Sequence, residues 1–209
     1  MKFSVIVPSL YERPQWWDDC INSVRKQEHE DWELLLSTDA DVPVPDDPRI
    51  KIVRGQNHSM ARALNLAMKA ATGDVFSWLC DDDMLLPGAL NVINENIGDA
   101  MWCHAQMLYH NAPYGSFNLW SLLNVGNSMP ILSVYWTRKA YEIVGGFDES
   151  LVADCDYEYW LRLAMRWVPK PVEKITAYYR HHPGMATHVL GREMVAEAER
   201  IRAQYATLT

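Results

Sequence analysis

Three consecutive aspartates, Asp81, Asp82 and Asp83, form the group of residues in this chain whose spacing most clearly suggests chemistry. They follow directly after the apolar run VFSWLC. Like charges at the mouth of a hydrophobic sheet repel one another, so each carboxylate needs a positive partner. Mg²⁺ and Mn²⁺ prefer oxygen ligands and usually bind through one or two carboxylates together with phosphate oxygens of a substrate. The triplet therefore predicts a divalent cation that also binds phosphate oxygens of a substrate.

A solvated loop is the alternative interpretation of the triplet, in which its aspartates cap the helix that Pro87 begins. Capping uses one carboxylate and leaves the other two without a role. We therefore favour the cation site.

A pair of histidines could complete such a cation site. His181 and His182 follow the predicted edge strand ITAYYR and precede Pro183-Gly184, which is a turn signal. Imidazole is a competent ligand for Mn²⁺ and can also meet a diphosphate. The His-Pro-Gly context favours His182, and His188 is a weaker candidate. A purely structural role is the alternative for these histidines.

Alternating strands and helices must position these residues. The first half predicts strands at residues 3–8, 32–37, 50–53 and 75–79, with helices after the first and third of them. This order predicts an α/β sheet, mostly parallel, with right-handed crossovers. Ligands in such sheets gather beyond the carboxyl ends of the strands, where Asp39 and the acidic triplet both lie. The second half is less regular, with strands at 100–107 and 131–136 and helices at 138–144, at 154–167 and at the C-terminus.

Composition limits the classes of protein to consider. The 209 residues carry a net charge of −8 and contain no block of lysine and arginine, so we expect no nucleic-acid partner. The four cysteines lack zinc-like spacing and predict reduced thiols in the cytoplasm. No segment approaches the roughly 20 apolar residues of a membrane span, so we expect no integral membrane segment. We expect one domain, which could be part of a larger polypeptide.

At this point the sequence resembles a known family. The stretch WLCDDDMLLPGAL resembles the strand, acidic motif and helix of family-2 glycosyltransferases, whose motif of the Asp-x-Asp type binds a metal and a nucleotide diphosphate. Other motifs follow the family's order and extend the resemblance over residues 3–188: SVIVPSLYER, SVRKQEHEDWELLL, the 57–65 segment, ATGDVFSWL, GGFDES, DYEYWLRL and YYRHHPG. The resemblance implies the GT-A fold, with a Rossmann-like, mostly parallel central sheet flanked by helices and a smaller irregular half on the acceptor side.

The resemblance also implies which residues bind the donor. Asp83 and Asp82 match the metal contacts, with His182 as a third ligand to Mn²⁺ or Mg²⁺, and Asp81 would contact the ribose or a metal-bound water. Thr38 and Cys80 stand where family members commonly have acidic or amide residues. The nucleotide-binding positions lie in the first loop, after the second strand, in the second helix and in the triplet: Pro8, Ser9, Tyr11, Glu12, Arg13, Asp39, Arg62, Asp81 and Asp82.

The catalytic base follows from the same resemblance. Glycosyl transfer needs a carboxylate that takes the proton of the acceptor hydroxyl. Matching DYEYWLRL to the family's pattern assigns that role to Asp156, with Cys155 where many members have Glu. The alternative is structural, with Asp154 as the helix cap and Asp156 as a first-turn acid that the helix dipole favours. Glu158 is a less suitable base.

The expected activity is an inverting transfer of a hexose or deoxyhexose from a nucleotide sugar, by default a UDP-sugar. The acceptor would be a hydroxyl of a glycan, lipid-linked or protein-linked. Residues 1–98 would bind the nucleotide sugar and residues 99–209 the acceptor. Two alternatives are a nucleotidyltransferase that makes sugar nucleotides, whose usual glycine-rich loop is missing from SLYERP, and an inactive module that binds nucleotides or glycans.

Overall fold

The first half of the chain forms a parallel sheet. A computed structural model describes residues 1–55 and 59–206, so residues 57 and 58 of the 57–65 segment lie outside it. The strands are β1 (Phe3–Pro8), β2 (Trp32–Ser37), β3 (Ile50–Val53) and β4 (Val75–Trp78). They lie in the order β3-β2-β1-β4, and all three pairings are parallel. The strands predicted from the four apolar runs are therefore confirmed.

Three helices cover the two faces of this parallel sheet: α1 (Pro14–Arg25), α2 (Met60–Ala70) and α3 (Ala89–Asn96). Successive residues of a strand point to opposite faces. Accordingly, Val5 belongs to the core beneath α1 and α3, whereas Ile6 belongs to the core beneath α2. The apolar stripe of α1 is buried as its spacing predicts: Trp17, Cys20, Ile21 and Val24.

The second half extends the sheet with five more strands: β5 (Met84–Leu85), β6 (Trp102–Tyr109), β7 (Ala112–Tyr114), β8 (Val134–Thr137) and β9 (Lys170–Tyr178). β8 pairs antiparallel with β4, and β6 pairs antiparallel with β8. β9 lies parallel to β6, whereas β5 and β7 join β9 and β6 as short antiparallel strands. Within the described residues the sheet has nine strands, parallel in its first half and mixed in its second.

Five helices complete the second half: α4 (Leu119–Asn124), α5 (Arg138–Val144), α6 (Cys155–Ala164), α7 (Ala186–Val189) and α8 (Gly191–Ala206). α6 begins at Cys155, and Asp154 occupies its N-cap position. Across residues 1–55 and 59–206, no helix combines the length and the apolar character that crossing a bilayer requires.

A cluster of aromatic rings holds α6 against the sheet. Trp160 of α6 stacks on Trp102 of β6, with ring centres 6.3 Å apart. Tyr159 stacks on Phe147 of the preceding loop at 4.2 Å. These rings are almost fully buried, and a close-packed interior of this kind leaves a helix little freedom to move. The first turn of α6, which carries Asp156, therefore has a fixed position relative to the sheet.

Candidate functional site

A cavity of about 640 Å³ opens at the carboxyl ends of β1 and β4. This is the edge of an α/β sheet at which ligands bind. The segment after β9 and the first turns of α2 close its other sides. Eight of the residues predicted from the sequence line this cavity: Pro8, Ser9, Glu12, Arg13, Asp81, Asp82, Asp83 and His182.

The three aspartates of the triplet have different surroundings. The Ser9 hydroxyl donates a hydrogen bond to Asp81, which joins the first loop to the end of β4. Asp82 faces the Nε2 of His182 at 3.0 Å and a guanidinium nitrogen of Arg13 at 3.4 Å. Asp83 is only 2% exposed and accepts a hydrogen bond of 2.7 Å from the backbone N–H of Arg180.

Two arginines supply part of the positive charge that the triplet needs. Arg13 reaches Asp82 and also donates to the carbonyl of Gly184 at 2.5 Å, so it links the first loop to the segment after β9. Arg180 donates from Nε to the carbonyl of Asp82 at 2.8 Å and pairs with Asp19 at 3.0 Å. Sequence reasoning missed Arg180. Its place at the end of ITAYYR, next to the two histidines, was the signal that could have identified it.

The electrostatics of the triplet nevertheless favour a further cation. Burial raises the pKa of Asp83 well above its usual value, and the charge of Asp82 raises it further. Burial also raises the pKa of Asp81, although the bond from Ser9 opposes the rise. Raised carboxyl pKa values mean that the ionised forms lack full compensation, and a bound cation would supply it.

The donor atoms suit a hard divalent cation. Cys80, Asp82 and Asp83 bring possible ligand atoms within 4.8 Å of one another. Mg²⁺ and Mn²⁺ prefer oxygen ligands, so the sulfur of Cys80 is a poor ligand for either ion. Two carboxylates remain, which is the usual protein contribution to a Mg²⁺ or Mn²⁺ site that also uses phosphate oxygens. Asp82 and Asp83 are therefore suitable ligands for the predicted Mg²⁺ or Mn²⁺.

Four of the predicted site residues do not line the cavity: Tyr11, Asp39, Arg62 and Asp156. Tyr11 has a left-handed backbone, with a φ of 58°, and its N–H donates to the Ser9 hydroxyl at 2.8 Å. Asp39 is exposed, and its carboxylate accepts a hydrogen bond of 3.1 Å from the backbone N–H of Gly55. Arg62 forms an ion pair of 3.2 Å with Glu149 of the GGFDES motif.

The GGFDES motif is bound to α2, which also borders the cavity. The side chain of Asn65 accepts from the N–H of Phe147 at 2.8 Å and donates to its carbonyl at 2.9 Å. Arg162 donates to the carbonyls of Val144 and Gly146 at 2.8 and 2.7 Å. These bonds connect the cavity wall to the loop that leads into α6.

Asp156 lies in the first turn of α6 and is 8% exposed. The side-chain amide of Asn127 donates a hydrogen bond of 2.7 Å to its carboxylate. Burial raises the pKa of Asp156 to about 6, against the opposing effect of hydrogen bonds from backbone N–H groups and from Asn127. A carboxylate with a pKa near neutrality is suited to exchange protons with a substrate.

Asp154 occupies the N-cap position of α6, as the structural alternative expects, but its side chain does not cap the helix. Its side chain makes no capping hydrogen bond, and its Oδ2 is buried without a hydrogen-bond partner among the described residues. Instead, Glu197 of α8 accepts hydrogen bonds from the backbone N–H groups of Val152, Ala153 and Asp154, at 2.8, 2.9 and 3.0 Å. Burial and the nearby charges of Asp156 and Glu197 raise the pKa of Asp154 to about 7.

Comparisons with known sequences agree with the motifs. The family model for glycosyl transferase family 2 matches residues 4–101. The uncharacterized glycosyltransferase YwdF of Bacillus subtilis is 25% identical over 199 residues, which cover 86% of this chain and 74% of YwdF. The chain spans only 19–31% of the length of four other curated relatives that are 28–30% identical to it.

Comparisons with solved structures agree with the fold. The S. aureus TarS 1-349 structure in complex with UDP-GlcNAc matches with a TM-score of 0.71 and 15% identity, over 99% of this chain and 72% of that one. The mannosyltransferase PcManGT from Pyrobaculum calidifontis, in complex with GDP-Man and Mn²⁺, matches with a TM-score of 0.66 and 16% identity, over 95% and 64%. The GT-A fold is therefore confirmed, and the family model, the relatives named as glycosyltransferases and the structural likeness to TarS support a family-2 glycosyltransferase.

Proposed function

We propose that this chain transfers a hexose or deoxyhexose from a nucleotide sugar, a UDP-sugar by default, to a hydroxyl group of an acceptor. The observation that carries the proposal is the cavity in which the first loop and the acidic triplet meet, with Ser9 bonded to Asp81. The family match and the UDP-GlcNAc complex of the structurally similar TarS support it.

Asp82 and Asp83 would hold Mn²⁺ or Mg²⁺, with His182 as a third ligand. When bound, the ion neutralises the negative charge that grows on the leaving diphosphate. Arg13 and Arg180 both line the cavity, and their guanidinium groups suit phosphate oxygens. The Mn²⁺ complex of PcManGT supports this arrangement.

The remaining donor-binding residues would contact the nucleoside. Asp81 would contact the ribose or a metal-bound water. The first loop would contact the base and ribose through Pro8, Ser9, Tyr11 and Glu12. Asp39 and Arg62 would bind at the outer rim. Arg62 is next in sequence to Ala63, which lines the cavity, and Asp39 follows β2, which pairs with β1.

Asp156 would act as the general base in an inverting, in-line displacement. Because burial brings its pKa to about 6, its carboxylate is mostly ionised above that pH and can accept the proton of the acceptor hydroxyl. Asn127 would orient the carboxylate through its hydrogen bond. The hydroxyl oxygen of the acceptor would then attack the anomeric carbon of the donor sugar as the hydroxyl proton moves to Asp156.

We propose a single domain in which residues 1–98 bind the donor and residues 99–209 the acceptor, a glycan that is free, lipid-linked or protein-linked. A cytoplasmic location remains a prediction from the cysteine pattern. The described structure contains four free cysteines, of which three are fully buried.

Calorimetry tests the donor site. UDP is titrated into the protein in EDTA and in Mn²⁺, with wild type and the double variant Asp82→Asn/Asp83→Asn. We expect Mn²⁺ to tighten binding to the wild type and to have little effect on the variant. Equal affinity of the wild type in both buffers would refute the metal role.

A release assay tests the reaction. UDP-glucose is offered with a panel of glycan acceptors, and the released UDP is measured. General-base catalysis is typically worth about 10² to 10⁴ in rate, so Asp156→Asn should lose about that factor while still binding UDP. Asp154→Asn is the matched control and should stay active. Release of pyrophosphate when UTP and glucose 1-phosphate are offered instead would indicate a nucleotidyltransferase. Binding of UDP-glucose without any transfer would indicate an inactive module.

A further inference from the structure

Three exposed histidines from separate segments meet outside the cavity. His110 lies in the turn between β6 and β7, His181 follows β9, and His188 belongs to α7. The ring centres of His110 and His181 are 4.2 Å apart, and those of His181 and His188 are 5.3 Å apart. The triplet chemistry described above uses none of these three side chains.

The fold holds this histidine cluster in place. His110 and Asn111 both have left-handed backbones, with φ of 48° and 60°, which non-glycine residues seldom adopt. Pairing of β6 with β7 on either side of them maintains the turn. The ring of Tyr109 packs at 4.4 Å from His110 and 6.4 Å from His181, and so supports two of the imidazoles from one side.

We infer that His110, His181 and His188 form a second metal site, one that binds a borderline transition-metal ion such as Zn²⁺ or Ni²⁺. Imidazole nitrogen suits these ions, whereas the carboxylates of the triplet suit Mg²⁺ and Mn²⁺. Two imidazoles that share a Zn²⁺ ion at about 2.0–2.1 Å have ring centres about 5 Å apart, close to the spacings of this cluster.

Small rotations must bring the three imidazoles into ligand positions. Among the described residues, only Cys80, Asp82 and Asp83 already have possible ligand atoms within 4.8 Å of one another. Exposed side chains change rotamer readily, so the histidines can converge on an ion at little cost. Three protein ligands leave a fourth position for water, as in other open zinc sites.

The ion would connect one wall of the cavity to a part of the fold that does not line it. Met185, Ala186 and Val189 line the cavity, and His188 lies among them. His110 belongs instead to the hairpin of β6 and β7. A metal bound by all three histidines would therefore fix the α7 wall of the cavity to the sheet and raise the stability of the whole protein.

Titration with Ni²⁺ alone, on protein without an affinity tag, tests this inference. In the double variant Asp82→Asn/Asp83→Asn, which removes the triplet site, calorimetry should detect one bound ion per chain with a dissociation constant in the micromolar range, and Ni²⁺ should raise the melting temperature. His110→Ala, His181→Ala and His188→Ala should each weaken binding by about tenfold or more. His29→Gln is the matched control, because His29 lies elsewhere and contacts the carbonyl of Met1.

Asp82→Asn separates this site from the triplet. Ni²⁺ affinity that is unchanged in Asp82→Asn and reduced in the histidine variants supports the inference. Ni²⁺ affinity that survives in His181→Ala, or that falls in Asp82→Asn, overturns it. Circular dichroism checks that each variant is folded, and His181→Asn serves as a second variant if His181→Ala is not.

Discussion

Glu197 should be the polar residue of α8 on which stability depends most. Its carboxylate is 9% exposed and accepts three backbone hydrogen bonds from the loop before α6. A hydrogen bond to a charged group contributes about 1.5–3 kcal/mol, and three that share one carboxylate contribute less than their sum. Glu197→Ala should therefore lower the free energy of unfolding by about 3–5 kcal/mol. Glu197→Gln keeps one acceptor oxygen and should lose about 1.5–3 kcal/mol.

The pH dependence gives a second measure of the same interaction. Burial raises the pKa of Glu197, but the three backbone N–H groups outweigh it and leave the pKa below its usual value. A carboxylate with a lowered pKa in the folded protein contributes stability above its unfolded pKa and loses it as the pH falls through the folded pKa. The difference between wild type and Glu197→Gln should therefore be full at pH 7 and shrink below about pH 4.

Urea unfolding at pH 7 and at pH 3.5, followed by circular dichroism, measures both effects. Glu199→Gln is the matched control, because Glu199 is exposed on the same helix and should change the unfolding free energy by less than about 0.5 kcal/mol. Equal stability of Glu197→Gln and wild type at pH 7 would contradict the reasoning. So would equal losses of unfolding free energy in Glu197→Gln and Glu199→Gln.

Three further predictions concern the proposed site. Asp154→Asn should raise the unfolding free energy by about 1–3 kcal/mol at pH 8 and by little at pH 4. A carboxyl whose pKa is raised to about 7 in the folded protein loses stability as the pH rises from its unfolded pKa of about 4 to about 7, and urea unfolding at both pH values measures this loss. Asp39→Ala should weaken UDP binding by about 1–3 kcal/mol in calorimetry, and an unchanged dissociation constant would exclude Asp39 from the donor site. Asn127→Ala should move the acidic limb of the pH–rate profile to higher pH, because the hydrogen bond from Asn127 lowers the pKa of Asp156 and its loss would raise that pKa. An unmoved limb would show that Asp156 is not the titrating base.

The parts of the fold that were predicted correctly depend on local sequence. Strands β1 and β2 are continuous apolar runs, and helix α1 has an apolar stripe. These patterns indicate which residues are buried, and they are sufficient to predict the three elements. The position of the triplet after β4 follows from the same pattern. Very short strands such as β5 carry too few residues for any period, so they were not predicted.

Long-range partners could not be predicted from local patterns. Glu197 stands 43 residues from Asp154 in the chain, yet it accepts a hydrogen bond from the backbone N–H of Asp154. Arg180 stands 97 residues from Asp83. Neither pairing produces a periodic pattern in the sequence, because each depends on how distant segments of the chain pack against each other. Similarly, the ion pair of Arg62 with Glu149 requires the two motifs to be adjacent in space.

The distance along the chain between the triplet and its partners has a consequence for biosynthesis. Chains emerge from the ribosome N-terminal end first, so the three aspartates appear about 100 residues before Arg180 and His182. Until those residues arrive, a nascent chain can make the contacts to Ser9 and Arg13 but not those to Arg180 and His182. A nascent chain that ends near residue 100 should therefore hold its aspartates exposed to water, and the cavity should form only after β9 has been synthesised.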